Sequence, residues 1–336
     1  MILKQLLTNI VLSTLLSVFF VLSLNSHAAD WKPQGNVEFI VGSGPGSGLD
    51  SATRTIDRML REKRIVDASI IVVNKPGAGL SISFAYLNKF PGNGHYLAIT
   101  SPSLLLNKIV GLSSITYSDV TPIAQLISEN IAFVVRADSS LKSGKDFVDR
   151  LKKDPSSLSI GVSTSLGGAN HIAAGLVMQK AGIDLKKALF VPFKSGGQMI
   201  TAILGNHVDV IAISASVMVP FFNDGRVRLI GISSERRVGG VLATVPTWKE
   251  QGFNAVFTNW RGIIGPNGMT QQQITYWENA FGQLVKTEEW KQELEKNFWE
   301  NDYLNSENSK KFLTGQASEL STLMVDLGLA RDAAPK

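Results

Sequence analysis

The chain has 336 residues, 44% hydrophobic and 18% charged, with a formal charge of +5 and no cysteine. That length is about two domains' worth and buries a core without cross-links. The composition excludes a disordered or collagen-like chain, and the absence of cysteine excludes disulfides, thiolate metal sites and a cysteine nucleophile. The basic excess is thinly spread, with no Lys/Arg block, so no nucleic-acid partner is expected.

Residues 1–29 hold a single charge, Lys4, followed by an apolar run that ends at Leu24. Ser26 and Ala28 place small residues at the −3 and −1 positions of a cleavage site. Residues 1–28 therefore read as a secretory signal peptide, which implies a periplasmic protein. An uncleaved anchor helix is the alternative, because the run is long for a signal core. No later segment has the length and apolarity to span a membrane.

After this leader, short apolar runs alternate with helical patterns. VEFIV (37–41), SIIVV (69–73) and YLAIT (96–100) read as buried strands. Between them lie a helix opened by Asp50-Ser51, with Ala52, Ile56, Met59 and Leu60 on one face, and a second helix near 80–89. IAFVV (131–135) begins a second series. A helix from Ser143 or Asp146 stops before Asp154-Pro155. Strands at 157–163, 188–193, 208–214 and 227–233 alternate with helices over HIAAGLVMQK (171–180), SGGQMITAILG (195–205) and about 216–224. A strand-like stretch over 256–266 precedes helices from Thr270 to about Lys286, over 287–300 and over 306–328. The rhythm predicts an α/β fold with mainly parallel sheets and helices on both faces.

Enzyme motifs are missing. The loop GSGPGSG (42–48) fails the dinucleotide pattern GxGxxG in each frame, because Ser47, Leu49 and Ser51 stand where glycine is required. It also lacks the Lys-Ser/Thr of a P-loop. No GxSxG elbow occurs, and Ser139-Ser140-Leu141-Lys142 is a single SxxK match without companion motifs. His95, His171 and His207 lie in separate segments without metal-ligand spacing and read as surface or capping residues. No metal, no cofactor and no catalytic residue is expected.

The remaining signal is a set of loops after strands: 42–51, 74–79, 100–103, 163–170 and 193–198, all rich in Gly, Ser, Thr or Asn. In an open α/β sheet, ligands gather outside the carboxyl ends of the strands. Small residues admit a ligand to backbone N–H groups, and helix N-termini favour anions. The loops together suit a carboxylate.

These segments also carry a family resemblance. GPGSGLDSATR (44–54), NKPGAG (74–79), STSLGGANHIAAGL (163–176), VPFKSGGQMITAILGNHVDV (191–210), DGRVRLIGISSERR (224–237), VPTWKEQGF (245–253) and NWRGIIGPNG (259–268) resemble, in order, the solute-binding proteins of tripartite tricarboxylate transporters, the Bug family. The resemblance implies a type II periplasmic binding fold: two doubly wound lobes with a ligand cleft between them. Lobe one would be 30–130 plus 256–336, and lobe two 131–255, with strands near 128–135 and 254–264 crossing between them. The motif positions imply ligand contacts from Gly46, Ser47, Gly48 and Asp50 on one side and Ser163, Ser165, Gly167 and Gly168 on the other. Thr100 and Ser101 join them on rhythm alone.

The sequence departs from the family pattern at three places. Ser47 replaces a glycine, Leu49 replaces a small polar residue, and Arg261 follows Trp260 where an aromatic or neutral residue is frequent. Arg261 would either pair with a second ligand carboxylate or be a solvated arginine beside a hinge. The resemblance implies a monomer that binds a small carboxylate and delivers it to membrane transporter subunits. Alternatives are presentation of the same ligand to a sensor and, from other classes, an exported hydrolase or a structural exported protein.

Overall fold

The computed structural model describes residues 31–163 and 166–331, so the leader and Ser165 lie outside the described residues. The strands are β1 (Val37–Val41), β2 (Ile70–Asn74), β3 (Tyr96–Thr100), β4 (Val120–Arg136), β5 (Ser159–Ser163), β6 (Leu189–Phe193), β7 (Val210–Ser214), β8 (Val227–Ile232), β9 (Thr258–Pro266) and β10 (Glu300–Leu304). The helices are α1 (Gly48–Glu62), α2 (Ser81–Leu87), α3 (Ser103–Ile109), α4 (Gly144–Lys153), α5 (Ala169–Lys180), α6 (Gly196–Leu204), α7 (Ala215–Asn223), α8 (Gln271–Leu284), α9 (Glu288–Asn297) and α10 (Ser306–Asp326).

Strand order runs β2-β1-β3-β9-β4-β7-β5-β6, with β8 and β10 also on β4. The β1–β2, β1–β3, β5–β6 and β5–β7 pairs are parallel, as the strand–helix alternation predicts. Every pairing of β4 and β9 is antiparallel, so both halves of the sheet are mixed rather than purely parallel.

The 17-residue β4 organises the molecule. From Val120 to Asn130 it pairs with β9, and β10 lies on its other side. From Ile131 onward it pairs with β7 and β8 instead. The change of partners falls between Asn130 and Ile131. The sequence reading had only the second part of this strand. Pro122, bulges at 122/124 and 125/127, and the polar run Ser128-Glu129-Asn130 obscure the period of the first part. Likewise β10 and α3 were not read, because β10 is a polar five-residue segment and α3 only seven residues long.

Helix boundaries follow local chemistry. Ser143 and Asp146 form a capping box at α4, and Thr270 with Gln273 forms another at α8. Among the described residues, two apolar clusters pack around β4 to β8, and buried side chains such as Phe39, Phe84, Leu97 and Trp277 pack around β1 to β3. The larger of the two sets Phe133 edge to face against both Phe147 and Trp248, with Phe133 and Trp248 centroids 4.7 Å apart, and also takes in Trp260 and Met324. The smaller lies under α6 and α7.

Candidate functional site

A cleft with about 540 Å³ of atom-free space, counting the part open to solvent, sits where loop ends from both halves of the sheet meet. Its walls come from the loop before α1 (Ser43, Gly46, Ser47, Gly48), from the start of α3 (Ser101, Ser103) and from the start of α5 (Ala169, Asn170). Gly196 at the start of α6 and Ser214 before α7 complete the ring, and Asn259 and Arg261 of β9 form the floor. Leu49, Leu80, Ile213 and Val217 supply the apolar part. Helix N-termini thus converge on the space, and their outward backbone N–H groups and dipoles favour an anion there.

The first loop is fixed from behind. Ser47 caps α1 by accepting from the Asp50 N–H, and its hydroxyl also bonds Ser43. The Asp50 carboxylate accepts the Gly46 N–H at 2.9 Å, Arg54 Nε at 3.0 Å and Asn74 Nδ2 at 2.9 Å. Asn74 also donates to the Ser43 carbonyl, so the end of β2 is tied to the loop. Burial raises the Asp50 carboxyl, and the hydrogen bonds from Arg54, Asn74 and Gly46 outweigh it, leaving the group below its ordinary range. Asp50 is therefore an ionised strut of the loop. Asp50→Ala is expected to cost about 2 kcal/mol, the scale of a lost charged hydrogen bond. Denaturant unfolding reads this loss. Ligand affinity should fall with it, because Gly46 loses its anchor.

The facing loop is held by His171. Its Nδ1 accepts the Gly167 N–H at 2.7 Å, and its ring meets Phe190 edge on, 4.2 Å between centroids. The ring is 4% exposed, and burial lowers its pKa to about 4. Gly167 has φ +80°, and a β-carbon there would lie 2.7 Å from Val110 Cγ1 at the end of α3. This loop can therefore approach α3 only with glycine in that place.

The floor holds a buried ion pair. Arg261 Nη2 donates to Glu129 Oε2 at 2.6 Å and Arg261 Nη1 to Asn259 Oδ1 at 2.8 Å. The register explains the geometry: Glu129 lies opposite Asn259, and Arg261 opposite Ile127, so Arg261 reaches Glu129 diagonally across β4 and β9. Ser214 precedes α7 but makes no side-chain cap bond; its hydroxyl donates to Glu129 Oε2 instead. Glu129 Oε1 and Arg261 Nε are buried without a partner. A β-carbon on Gly48 would lie 3.2 Å from Glu129 Oε2, 3.3 Å from Ser214 Oγ and 3.4 Å from Glu129 Oε1, so the first loop lies close against this carboxylate and a larger residue would press on it.

Of the residues singled out in the sequence, Gly46, Ser47, Gly48, Ser101 and Arg261 line the cleft. Asp50 and Thr100 are buried behind it. Gly168 caps α5 just before the lining residues Ala169 and Asn170, and Gly167 is held by His171. Ser163 ends β5. Arg261 is 5% exposed, hence not solvated, and its fork is engaged inside the protein. Sequence reasoning missed Ser43, Ser103, Asn170, Ser214, Asn259 and Glu129. The signal for the last was an acid within the polar run Ser128-Glu129-Asn130 of an otherwise apolar strand. Lys142 and Ser139 of the SxxK match lie on the exposed surface, the lysine donating to the Ser139 carbonyl. No group of three His, Asp or Glu able to hold a metal occurs among the described residues.

Residues 53–329 match the model of the tripartite tricarboxylate transporter family receptor. The chain belongs to this family. A curated relative, the UPF0065 protein in the gbd 5' region of Cupriavidus necator, is 25% identical over 304 residues, 90% of each chain. Among solved structures, the periplasmic binding protein BugD superposes with a TM-score of 0.81 at 18% identity, covering 89% of this chain and 99% of that one. The R. palustris protein Rpa4515 with adipate superposes with a TM-score of 0.82 at 19% identity, covering 90% and 99%. These neighbours have the two-lobed periplasmic binding fold, the fold class that the resemblance implied.

Proposed function

We propose that the protein is an exported receptor that captures a small organic carboxylate between its lobes and hands it to membrane subunits of a tripartite tricarboxylate transporter. The observation that carries this reading is the cleft itself: helix N-termini and serine hydroxyls converge on one space whose only ionisable lining residue, among those described, is Arg261. Family membership supports a receptor role, and the adipate held by Rpa4515 supports the ligand class. Gly46, Ser47, Gly48 and Ser101 would meet the carboxylate from lobe one, and Ser163, Ser165, Gly167 and Gly168 from lobe two. Residues 30–130 plus 256–336 form lobe one and 131–255 lobe two in this reading, supported by the change of β4 partners after Asn130. Closure would bend β4 at that crossing, together with the chain just before β9, and bury the ligand through contacts present only in the closed state. No bond is made or broken. The leader 1–28 would direct export, and the mature chain would act as a monomer.

The test is a thermal-shift and calorimetric screen of the purified protein, before and after refolding to strip any carried ligand. A ligand at a hundred times its Kd is expected to stabilise the native state by about 2.7 kcal/mol. Small carboxylates should give this shift, and size-matched uncharged or cationic solutes should not. Failure of every carboxylate on refolded protein would defeat the reading.

A further inference from the structure

Phe298 ends α9 in the left-handed conformation, with φ 55° and ψ 36°. Its N–H reaches the Glu295 carbonyl, and the Trp299 N–H reaches the Leu294 carbonyl at 2.9 Å. Glycine or asparagine ordinarily takes this place at a helix end, and a bulky residue there is strained. The ring is what holds it. It packs against the apolar cluster under α6 and α7, whose members all lie within 131–255. A β-carbon on Gly240 would lie 2.9 Å from Phe298 Cε1, so the ring rests on bare backbone at the start of the helical turn Gly240–Thr244.

This contact lies behind the cleft. Side chains alternate between the two faces of a strand, and Asn259 and Arg261 line the cleft. Thr258 and its cross-strand partner Asn130 therefore point the other way, into a groove that Gly240, Phe298 and Trp299 also line. On the cleft side the two halves also meet, where a β-carbon on Gly44 would lie 3.6 Å from Ser195 Cβ. A bend at the crossing that widens the cleft narrows the groove and drives the ring into Gly240.

We infer that Phe298 is a back-stop that limits how far the two lobes open. The inference rests on the two-lobed capture reading above and sets a bound on its motion. A glycine at 298 would relieve the backbone and remove the stop. A limited opening keeps the ligand-free protein near the binding-competent arrangement, so less of the ligand's affinity is lost to closure.

The chain has no cysteine, so a nitroxide pair can be attached at Lys75→Cys and Lys194→Cys alone. These positions follow the last residues of β2 and β6, one in each lobe, at the strand ends that feed the cleft loops, so opening parts them. Dipolar spectroscopy on the ligand-free, refolded full chain compares this background with Phe298→Gly and with Phe298→Asn. Both substitutions suit the left-handed backbone and remove the ring. Both are expected to lengthen the mean separation by more than about 2 Å, the scale of a hinge rearrangement. Separations equal to or shorter than the background in both variants overturn the inference and leave the carboxylate reading, which the ligand screen decides, intact. A longer separation in only one of the two assigns the effect to the backbone at 298 rather than to the ring, and overturns it as well.

Discussion

Glu129→Ala is expected to lower the unfolding free energy by about 3–5 kcal/mol, the scale seen when one partner of a buried ion pair is removed. The carboxylate is nearly inaccessible and receives donors from Arg261 and Ser214. Its loss strands a guanidinium that is 5% exposed, and Asn259 alone cannot offset the charge. Denaturant unfolding should show a lower midpoint at unchanged slope, because the surface exposed on unfolding is the same. A double variant, Glu129→Ala with Arg261→Met, should recover much of the loss, since replacing both members of such a pair with apolar groups is often neutral. The double variant separates charge from packing. If the single variant loses under about 1 kcal/mol, less than a typical buried substitution costs, the guanidinium has found water and the floor is not sealed.

This pair also marks the limit of what the sequence disclosed. The βα loops were legible because glycine and serine clusters after apolar runs have a local cause, and four of those loops supply cleft-lining residues. The start of α4 was legible for the same reason: Ser143 and Asp146, the two candidate openers, turn out to share one capping box within four residues. Arg261 was visible as an oddity, but its role was not, because its partner lies 132 positions away and the pairing depends on the register of β4 against β9. An acid in the short polar run Ser128-Glu129-Asn130 has no meaning until that register is known. Ser214 is a similar case. A serine at a strand end reads as a helix cap, yet its hydroxyl is drawn to Glu129. Local rules gave way here to a long-range polar network, and that network is where the cleft floor departs from an ordinary sheet.

Acid should loosen the second wall of the cleft before it unfolds the rest. The His171 ring is buried and neutral, and its pKa of about 4 lies well under the ordinary 6.5. Its Nδ1 accepts the Gly167 N–H, a bond that a protonated ring cannot accept. In the unfolded chain the imidazole takes up a proton near pH 6.5, while in the native state it resists until about pH 4. The unfolded state therefore binds more protons between those values, and stability falls as pH drops through that window. The native contribution is complete above about pH 7 and is lost by about pH 4, with an expected total of about 3 kcal/mol. The Asp50 carboxyl is held below its ordinary range, so it titrates beneath this window and does not mimic the effect. His171→Asn keeps an acceptor near the Gly167 N–H and does not titrate, so its stability should be lower at neutral pH but flatter between pH 6.5 and 4. Equal slopes for the two proteins would mean that His171 takes up its proton at the same pH in the native state as in the unfolded chain and that Gly167 is held by some other contact. Affinity in the wild-type protein should hold down to about pH 4, where the native ring itself takes up a proton and releases the Gly167 N–H, because the loop that His171 orders is the proposed second-lobe contact.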